Sequence, residues 1–225
     1  MPLALVLTAK TVSLTSGLFR AFFILNLHRT QPSTEAVFET SMNTPMSTLM
    51  TTSTTVYFSH GKESGPWGIK ITYLAKIAKA HGLAVKSIDY RETLDPDKRV
   101  EKLKAILEQE TSNVILAGSS MGGYVSAVTA NDIKVDGLFL IAPALYFKNW
   151  GVAEFTPKTD YSYVIHGWDD DIVPVESAQK FSKTNKATMQ LLDGGHTLND
   201  QLPAMRDFFQ QFLNHCAPVE SDQTA

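Results

Sequence analysis

Residues 113–123 read NVILAGSSMGG. The apolar run 114–117 is followed at once by a turn with glycines at positions 118, 122 and 123. A short, continuous apolar run is typical of a strand that is buried on both faces of a sheet. Helical character is expected from about Tyr124, so this stretch predicts a strand, a sharp turn and a helix in immediate succession.

The turn contains the pattern Gly118-x-Ser120-x-Gly122. Between a strand and a helix, this spacing is typical of a nucleophile elbow, which holds a serine in a strained backbone conformation and lifts its hydroxyl clear of the sheet. The helix N-terminus also favours negative charge there. Ser120 is therefore the candidate nucleophile, whereas Ser119 occupies an x position. A glycine-rich turn with an incidental serine is the alternative interpretation.

Predicted strands and helices alternate on both sides of this turn, from Thr54 onward. Apolar strands separated by helices indicate the α/β class, with a mostly parallel sheet covered by helices on both faces. About six strands are expected, and the short segment 142–160 leaves room for only a minimal cap. The predicted strands are 55–59, 83–88, 113–117, 137–142, 161–165 and 188–192, and the predicted helices are 69–81, 95–110, 124–130, 175–182 and 202–215.

Length and composition indicate one globular domain. The chain has 225 residues, of which 44% are hydrophobic and 19% are charged. A chain of this length can bury a large single core. We expect that domain to span residues 54–215, with disordered tails at 1–53 and 216–225.

The N-terminal segment differs from the rest of the chain. It has no acidic residue before Glu35, and Ser and Thr are frequent. Lys10 and Arg20 interrupt its apolar runs, so no membrane span of about 20 residues is expected. The composition is that of a transit peptide, or the segment is an artefact of an upstream start codon. We expect a cytoplasmic protein, with import into an organelle as the alternative.

Charge and cysteine content exclude several function classes. The net charge of −3 gives no electrostatic case for binding nucleic acid or an anionic membrane surface. The single cysteine, Cys216, excludes an internal disulfide framework and a multi-cysteine metal site. It also follows the last predicted helix, with no elbow around it, which disfavours a thiol enzyme. No metal and no organic cofactor are predicted.

A serine hydroxyl is a weak nucleophile and needs a general base. His196 lies in a loop with two glycines, after the last predicted strand and before the last helix, where it could reach Ser120. An aspartate should orient that histidine. Asp169, Asp170 and Asp171 all follow the strand 161–165, so the chain order is Ser, Asp, His. The residues alone leave the choice among the three aspartates open.

On these motifs, residues 54–214 resemble the α/β-hydrolase fold, and in particular its small, lidless serine hydrolases. In that family a His-Gly pair and a Val-Pro pair bracket the orienting aspartate. Laid on His166 and Pro174, the pattern selects Asp170. The resemblance implies a serine hydrolase for esters or thioesters of small to medium acyl groups, with such a small molecule as its only predicted partner.

The resemblance also assigns an oxyanion hole. The pair His60-Gly61 after the first strand precedes Lys62, whose backbone N–H would bind the oxyanion together with that of Met121. His60 itself is expected to hydrogen-bond within the turn. Candidate substrate-binding residues are His60, Trp67 and Trp168, in loops at the catalytic end, and Tyr146 and Trp150, in the apolar and aromatic segment 142–160. Core packing under a loop is the alternative role of that segment.

Two other functions stay open. One is a non-catalytic interaction protein with the same fold, which the presence of all three of Ser120, Asp170 and His196 disfavours. The other is a peptidase or amidase that uses the same three residues, although such enzymes usually carry a larger cap. A haloalkane dehalogenase is disfavoured because its elbow has an aspartate at the position of Ser120.

Overall fold

Residues 53–218 are described by the computed structural model. Six strands and five α-helices alternate in this range, with one short 3₁₀ helix at Asn199–Gln201. The strands are β1 Thr54–Ser59, β2 Ala84–Ile88, β3 Asn113–Ser119, β4 Gly137–Ile141, β5 Ser162–Gly167 and β6 Thr188–Leu192. The helices are α1 Ile69–Ala80, α2 Pro96–Leu107, α3 Met121–Asp132, α4 Val175–Asn185 and α5 Leu202–Cys216.

All neighbouring strands of the sheet are parallel, in the order β2-β1-β3-β4-β5-β6. In the pairing of β1 with β3, Ser59 lies opposite Gly118. The winding of the chain reverses between these two strands, since β2 lies on one side of β1 and β3 on the other. Such a switch point opens a crevice at the carboxyl ends of the strands, where α/β proteins bind their ligands.

Helices cover both faces of the sheet, as the sequence predicts. Alternate side chains of each central strand enter different cores: Tyr57 packs on one face, and Val56 and Phe58 pack on the other. The first core takes in buried residues of α2, α3 and α4. The second takes in buried residues of α1 and α5. The prediction of an α/β fold with a parallel sheet of about six strands is confirmed.

The start of α3 differs from the sequence prediction. The helix begins at Met121, directly after Ser120, and not near Tyr124. The reason is that Ser120 alone makes the turn, with φ 56° and ψ −122°. The strained residue therefore leaves the three following residues free to be helical.

The segment 142–161 between β4 and β5 contains no helix or strand, in agreement with the minimal cap. No helix within residues 53–218 is long and apolar enough to cross a membrane. The predictions for segment 1–53 concern residues that, apart from Ser53, lie outside the described range. Most of the predicted C-terminal tail, 216–225, lies outside it as well.

Candidate active site

Ser120 lies at the tight turn between β3 and α3, at the carboxyl edge of the sheet. Its positive φ is a conformation that non-glycine residues seldom adopt. Glycine is required on both sides of it. A Cβ on Gly118 would fall on the carbonyl oxygen of Gly122, and a Cβ on Gly122 would fall on that of Ser59. The two glycines thus let α3 start against the ends of β1 and β3.

Ser120, His196 and Asp170 form a continuous line of hydrogen bonds. Nε2 of His196 is 2.9 Å from Oγ of Ser120, and Nδ1 of the same ring is 2.8 Å from Oδ2 of Asp170. Three separate loops supply them, after β3, β6 and β5 respectively. Residues 76 positions apart in the chain meet because parallel strands end at one edge of the sheet.

Only one of the three consecutive aspartates contacts the histidine. The side chain of Asp170 is fully buried, whereas Asp169 and Asp171 are exposed. Oδ1 of Asp170 accepts the backbone N–H groups of Ile172 and Val173, at 3.0 and 2.8 Å. The carboxylate is therefore held on one oxygen by its own loop and presents the other oxygen to His196.

His166 also reaches that carboxylate, a contact that the sequence did not predict. Its Nε2 is 2.9 Å from the carbonyl oxygen of Val173 and 3.2 Å from Oδ2 of Asp170. Because both partners are acceptors, Nε2 must carry the hydrogen. The ring is completely buried, and burial lowers the pKa of His166. The one sequence signal was its position before a glycine at the end of a strand.

The two predicted oxyanion donors lie beside Ser120. Lys62 and Met121 both line the cavity at the serine. Met121 is the first residue of α3, so its N–H precedes the intrahelical hydrogen bonds. Lys62 follows Gly61, whose backbone is so close to the serine that a Cβ there would be 3.4 Å from Cβ of Ser120.

A cavity of about 880 Å³ opens beside Ser120 and His196. Among the predicted substrate-binding residues, His60 and Trp150 line it. Trp67, Tyr146 and Trp168 lie outside it. Trp67 and Trp168 are exposed residues, with relative accessibilities of 53% and 57%. The apolar lining also includes Phe147, which lies in the aromatic segment 142–160, and side chains that the sequence did not single out, namely Ile69, Ile71, Leu94, Ala144, Ile172 and Val173.

Lys70, in the first turn of α1, brings a positive charge to the cavity. Its Nζ donates to the carbonyl oxygen of Thr197 at 2.7 Å. Burial lowers the pKa of the ammonium group, and the charge of Asp170 opposes this effect. The contact ties α1 to the loop of His196. Nothing in the sequence around Lys70 pointed to this contact, because it joins residues 127 positions apart.

Within residues 53–218, no group of three or more His, Cys, Asp and Glu side chains is arranged to hold a metal ion. The thiol of Cys216 lies near Gly137, at the start of β4. It is thus at the edge of the sheet opposite to Ser120. Burial raises the pKa of this thiol to about 12, which disfavours the thiolate form.

Solved structures of other proteins resemble this fold. A protein of the alpha/beta hydrolase superfamily from Xanthomonas campestris pv. campestris has a similar structure, with a TM-score of 0.65 and 26% sequence identity. The match covers 72% of this chain and 98% of that chain. This chain belongs to the α/β-hydrolase superfamily.

One family model matches part of the chain, and further solved structures share its fold. Residues 55–161 match the model of an uncharacterised protein family, UPF0227. XC6422 from Xanthomonas campestris, a serine hydrolase without a lid, has a TM-score of 0.60 and 22% identity, over 76% of this chain and 85% of that chain. Est1E from Butyrivibrio proteoclasticus has a TM-score of 0.63 and 15% identity, over 75% and 89%. No curated protein matched the sequence.

Proposed function

We propose that this α/β-hydrolase is a serine hydrolase. It cleaves carboxylic esters or thioesters of small to medium acyl groups through an acyl-serine intermediate. The observation that carries the proposal is the hydrogen-bonded line from Asp170 through His196 to Ser120, with distances of 2.8 and 2.9 Å. A nucleophile within reach of a base, with the base oriented by a third group, is the arrangement that acyl transfer requires.

The first step is attack by Ser120. Its Oγ forms a bond to the carbonyl carbon of the ester, while Nε2 of His196 accepts the hydroxyl proton. The carbonyl π electrons move to the oxygen, and the backbone N–H groups of Lys62 and Met121 bind the resulting oxyanion. Donors of this kind contribute roughly 3–4 kcal/mol each to transition-state stabilisation in other enzymes.

The second step expels the alcohol or thiol. The tetrahedral intermediate collapses to an acyl-serine, and His196 returns its proton to the leaving oxygen or sulfur. A water molecule then attacks the acyl-serine with His196 again acting as base, which releases the acid and restores Ser120. Asp170 keeps the proton of the imidazole on Nδ1 and stabilises the imidazolium.

The cavity supports an apolar substrate of modest size. Its volume of about 880 Å³ falls in the range of roughly 300–1,000 Å³ that is usual for small-molecule sites. Phe147, Trp150, Leu94 and Ile172 are among the apolar residues that line it. Est1E has been solved with ferulic acid bound, so aryl esters belong in a test panel beside alkyl esters.

The proposal is tested with p-nitrophenyl esters of rising acyl length, an aryl ester, a thioester and a matched amide. A fluorophosphonate probe reports on the serine independently of substrate choice. Ser120→Ala should abolish both hydrolysis and labelling while the protein stays folded, because loss of a nucleophile costs on the order of 10⁶ in comparable enzymes. Ser119→Ala is the matched control, one residue away, and should keep both. Absence of labelling in the wild type, or full labelling of Ser120→Ala, would refute the proposal.

A further inference from the structure

Arg99, the fourth residue of α2, is a fully buried arginine. Buried charges in proteins are usually paired with an opposite charge. Within residues 53–218, however, no carboxylate lies at ion-pair distance from this guanidinium. Its donors reach backbone carbonyl oxygens. Nε is 2.9 Å from the oxygen of Thr93, and Nη1 is 3.2 Å from that of Gly61 and 3.4 Å from that of His60.

His60 also donates a hydrogen bond to the carbonyl oxygen of Gly61. Its Nε2 accepts the backbone N–H of Tyr90 at 3.0 Å, so Nε2 carries no hydrogen. The hydrogen of the neutral ring must then be on Nδ1, which is 2.7 Å from the carbonyl oxygen of Gly61. Burial lowers the pKa of His60, which favours this neutral form. The carbonyl oxygen of Gly61 therefore accepts two hydrogen bonds from side chains of the same cluster.

The Gly61 carbonyl and the Lys62 N–H belong to one peptide group. A trans peptide is planar, so its C=O and N–H point in opposite directions, and no peptide bond of the described chain is cis. Holding the oxygen on the side of Arg99 and His60 turns the N–H of Lys62 the other way. Gly61 and Lys62 both line the cavity of Ser120.

We propose that Arg99 and His60 are positioning residues that fix the Gly61–Lys62 peptide with its N–H directed at the oxyanion formed on Ser120. The guanidinium also has an electronic effect, because a charge-assisted hydrogen bond to the carbonyl polarises the peptide and strengthens its N–H as a donor. The catalytic consequence rests on the proposed serine hydrolase function, whereas the orientation of the peptide does not.

A purely structural role for the same cluster is the competing explanation, and Tyr90 supplies the control. Its ring is buried against both residues, with the centroid 5.4 Å from the His60 ring and 5.4 Å from Cζ of Arg99. Its hydroxyl pairs with Oγ of Ser59 at 3.1 Å and does not contact Gly61. Tyr90→Phe therefore removes a buried hydrogen bond from the cluster and leaves the Gly61 carbonyl with both of its donors.

The experiment compares Arg99→Met, Arg99→Lys, His60→Gln and Tyr90→Phe with the wild type. The readouts are kcat and KM for an activated ester and the rate of fluorophosphonate labelling, each per folded molecule. Loss of an oxyanion donor lowers kcat by about 10²–10³, so a misdirected donor in Arg99→Met should lower kcat and labelling by about 10–100-fold at nearly constant KM. Arg99→Lys should recover part of the loss, and Tyr90→Phe should stay within about threefold of the wild type. Equal kcat in Arg99→Met and Tyr90→Phe would overturn the proposal.

The backbone amide resonance of Lys62, assigned by ¹⁵N NMR, gives a second test that needs no turnover. The wild type should show one sharp signal. Arg99→Lys and His60→Gln should shift or broaden it by exchange between peptide orientations, while Tyr90→Phe leaves it unchanged. If the wild type hydrolyses no ester and is not labelled, the proposed function fails and the amide signal alone decides this inference. If Arg99→Met does not fold, the other two variants decide it, and an unperturbed Lys62 signal in both refutes it.

Discussion

Oδ2 of Asp170 lies 2.8 Å from Nδ1 of His196, while its Oδ1 accepts the N–H groups of Ile172 and Val173. The carboxylate cannot rotate without losing these backbone bonds. As an acceptor only, it requires the hydrogen of the neutral imidazole to be on Nδ1. Nε2 is then the free base, at 2.9 Å from Oγ of Ser120.

Replacing Asp170 with Asn should therefore reduce turnover by several orders of magnitude. An amide can donate to Nδ1 and so stabilise the wrong tautomer, and the equivalent change in a comparable protease costs about 10⁴ in kcat. We expect KM to change little, because the carboxylate is buried behind His196. Steady-state kinetics of an activated ester measure both parameters.

Asp169→Asn and Asp171→Asn are the matched controls, since these exposed neighbours carry the same charge. Each should stay within about tenfold of the wild type, because a solvated aspartate contributes little to rate. Equal losses in all three variants would indicate an effect of the charge cluster and not of one orienting carboxylate. A large loss only at Asp169 or Asp171 would contradict the assignment.

Tyr124, in α3, connects segment 142–161, here called the cap segment, to α2. Its hydroxyl donates to Oδ1 of Asp97 at 2.7 Å and accepts the N–H of Val152 at 3.2 Å. Trp150, which lines the cavity, packs edge-on against the same ring at 4.6 Å. Tyr124→Phe keeps this ring contact and removes both hydrogen bonds. The cap segment should loosen around Trp150, with a stability loss of about 1–2 kcal/mol.

The kinetic signature expected for Tyr124→Phe is a several-fold higher KM for the larger esters, with kcat within about twofold. Tyr146→Phe is the control, because Tyr146 lies in the same segment but outside the cavity. A change of KM in Tyr146→Phe and none in Tyr124→Phe would show that substrate contacts lie where the sequence alone had placed them, at Tyr146.

The fold could be predicted from the sequence because its signals are local. The apolar run 114–117 is typical of a strand covered on both faces, and the glycines at 118 and 122 mark the turn that Ser120 makes. Because parallel strands all end at one edge, a meeting of Ser120, His196 and one of the three aspartates could be expected there, whereas the choice of Asp170 depended on the family resemblance. The start of α3 was predicted three residues late. The residue types around Ser120 do not show that this one residue completes the turn by itself.

The side chains around Ser120 could be predicted less well. Trp67 and Trp168 lie in loops at the correct edge of the sheet, but the direction of a loop side chain depends on tertiary packing. Arg99 follows two charged residues on an amphipathic helix, a pattern typical of a solvated face. Its burial depends on carbonyl groups of the turn after β1, some 38 residues away in the chain.

Two buried histidines predict how stability depends on pH. Burial lowers the pKa of both His60 and His166. In the unfolded chain their pKa is close to 6.5, so the unfolded state binds more protons below that pH. The free energy of unfolding must therefore rise with pH through this window. The contribution of the two neutral histidines to stability is complete above about pH 7. It is lost progressively as the pH falls below about 6.5, towards their lowered pKa values in the folded protein.

Urea unfolding at pH 7.5, 6.5 and 5.5 measures this slope, in a range where most carboxylates stay ionised. His60→Gln and His166→Gln should each lower the absolute stability and flatten the slope, because each removes one titrating group. Tyr90→Phe, which loses a buried hydrogen bond but keeps both histidines, should retain the wild-type slope. A stability that is independent of pH between 5.5 and 7.5 in the wild type would contradict the prediction.

Gly122 offers a steric test of the turn at Ser120. A Cβ at this position would fall on the carbonyl oxygen of Ser59 and would lie 2.8 Å from that of His60. Neither oxygen can move freely, because one belongs to the last residue of the central strand β1 and the other to the residue directly after it. Gly122→Ala should therefore push α3 away from β1 and cost more than about 3 kcal/mol, in the range of severe core substitutions.

Gly65→Ala is the matched control, since its Cβ would meet only Cδ of Arg91 at 3.8 Å. It should change the free energy of unfolding by less than about 1 kcal/mol. Urea unfolding separates the two variants, and fluorophosphonate labelling of any folded Gly122→Ala should fall, because the same displacement moves the N–H of Met121 away from Ser120. Equal stabilities for the two alanine variants would mean that α3 can shift at its first turn, and that the close contact with Ser59 does not define the turn.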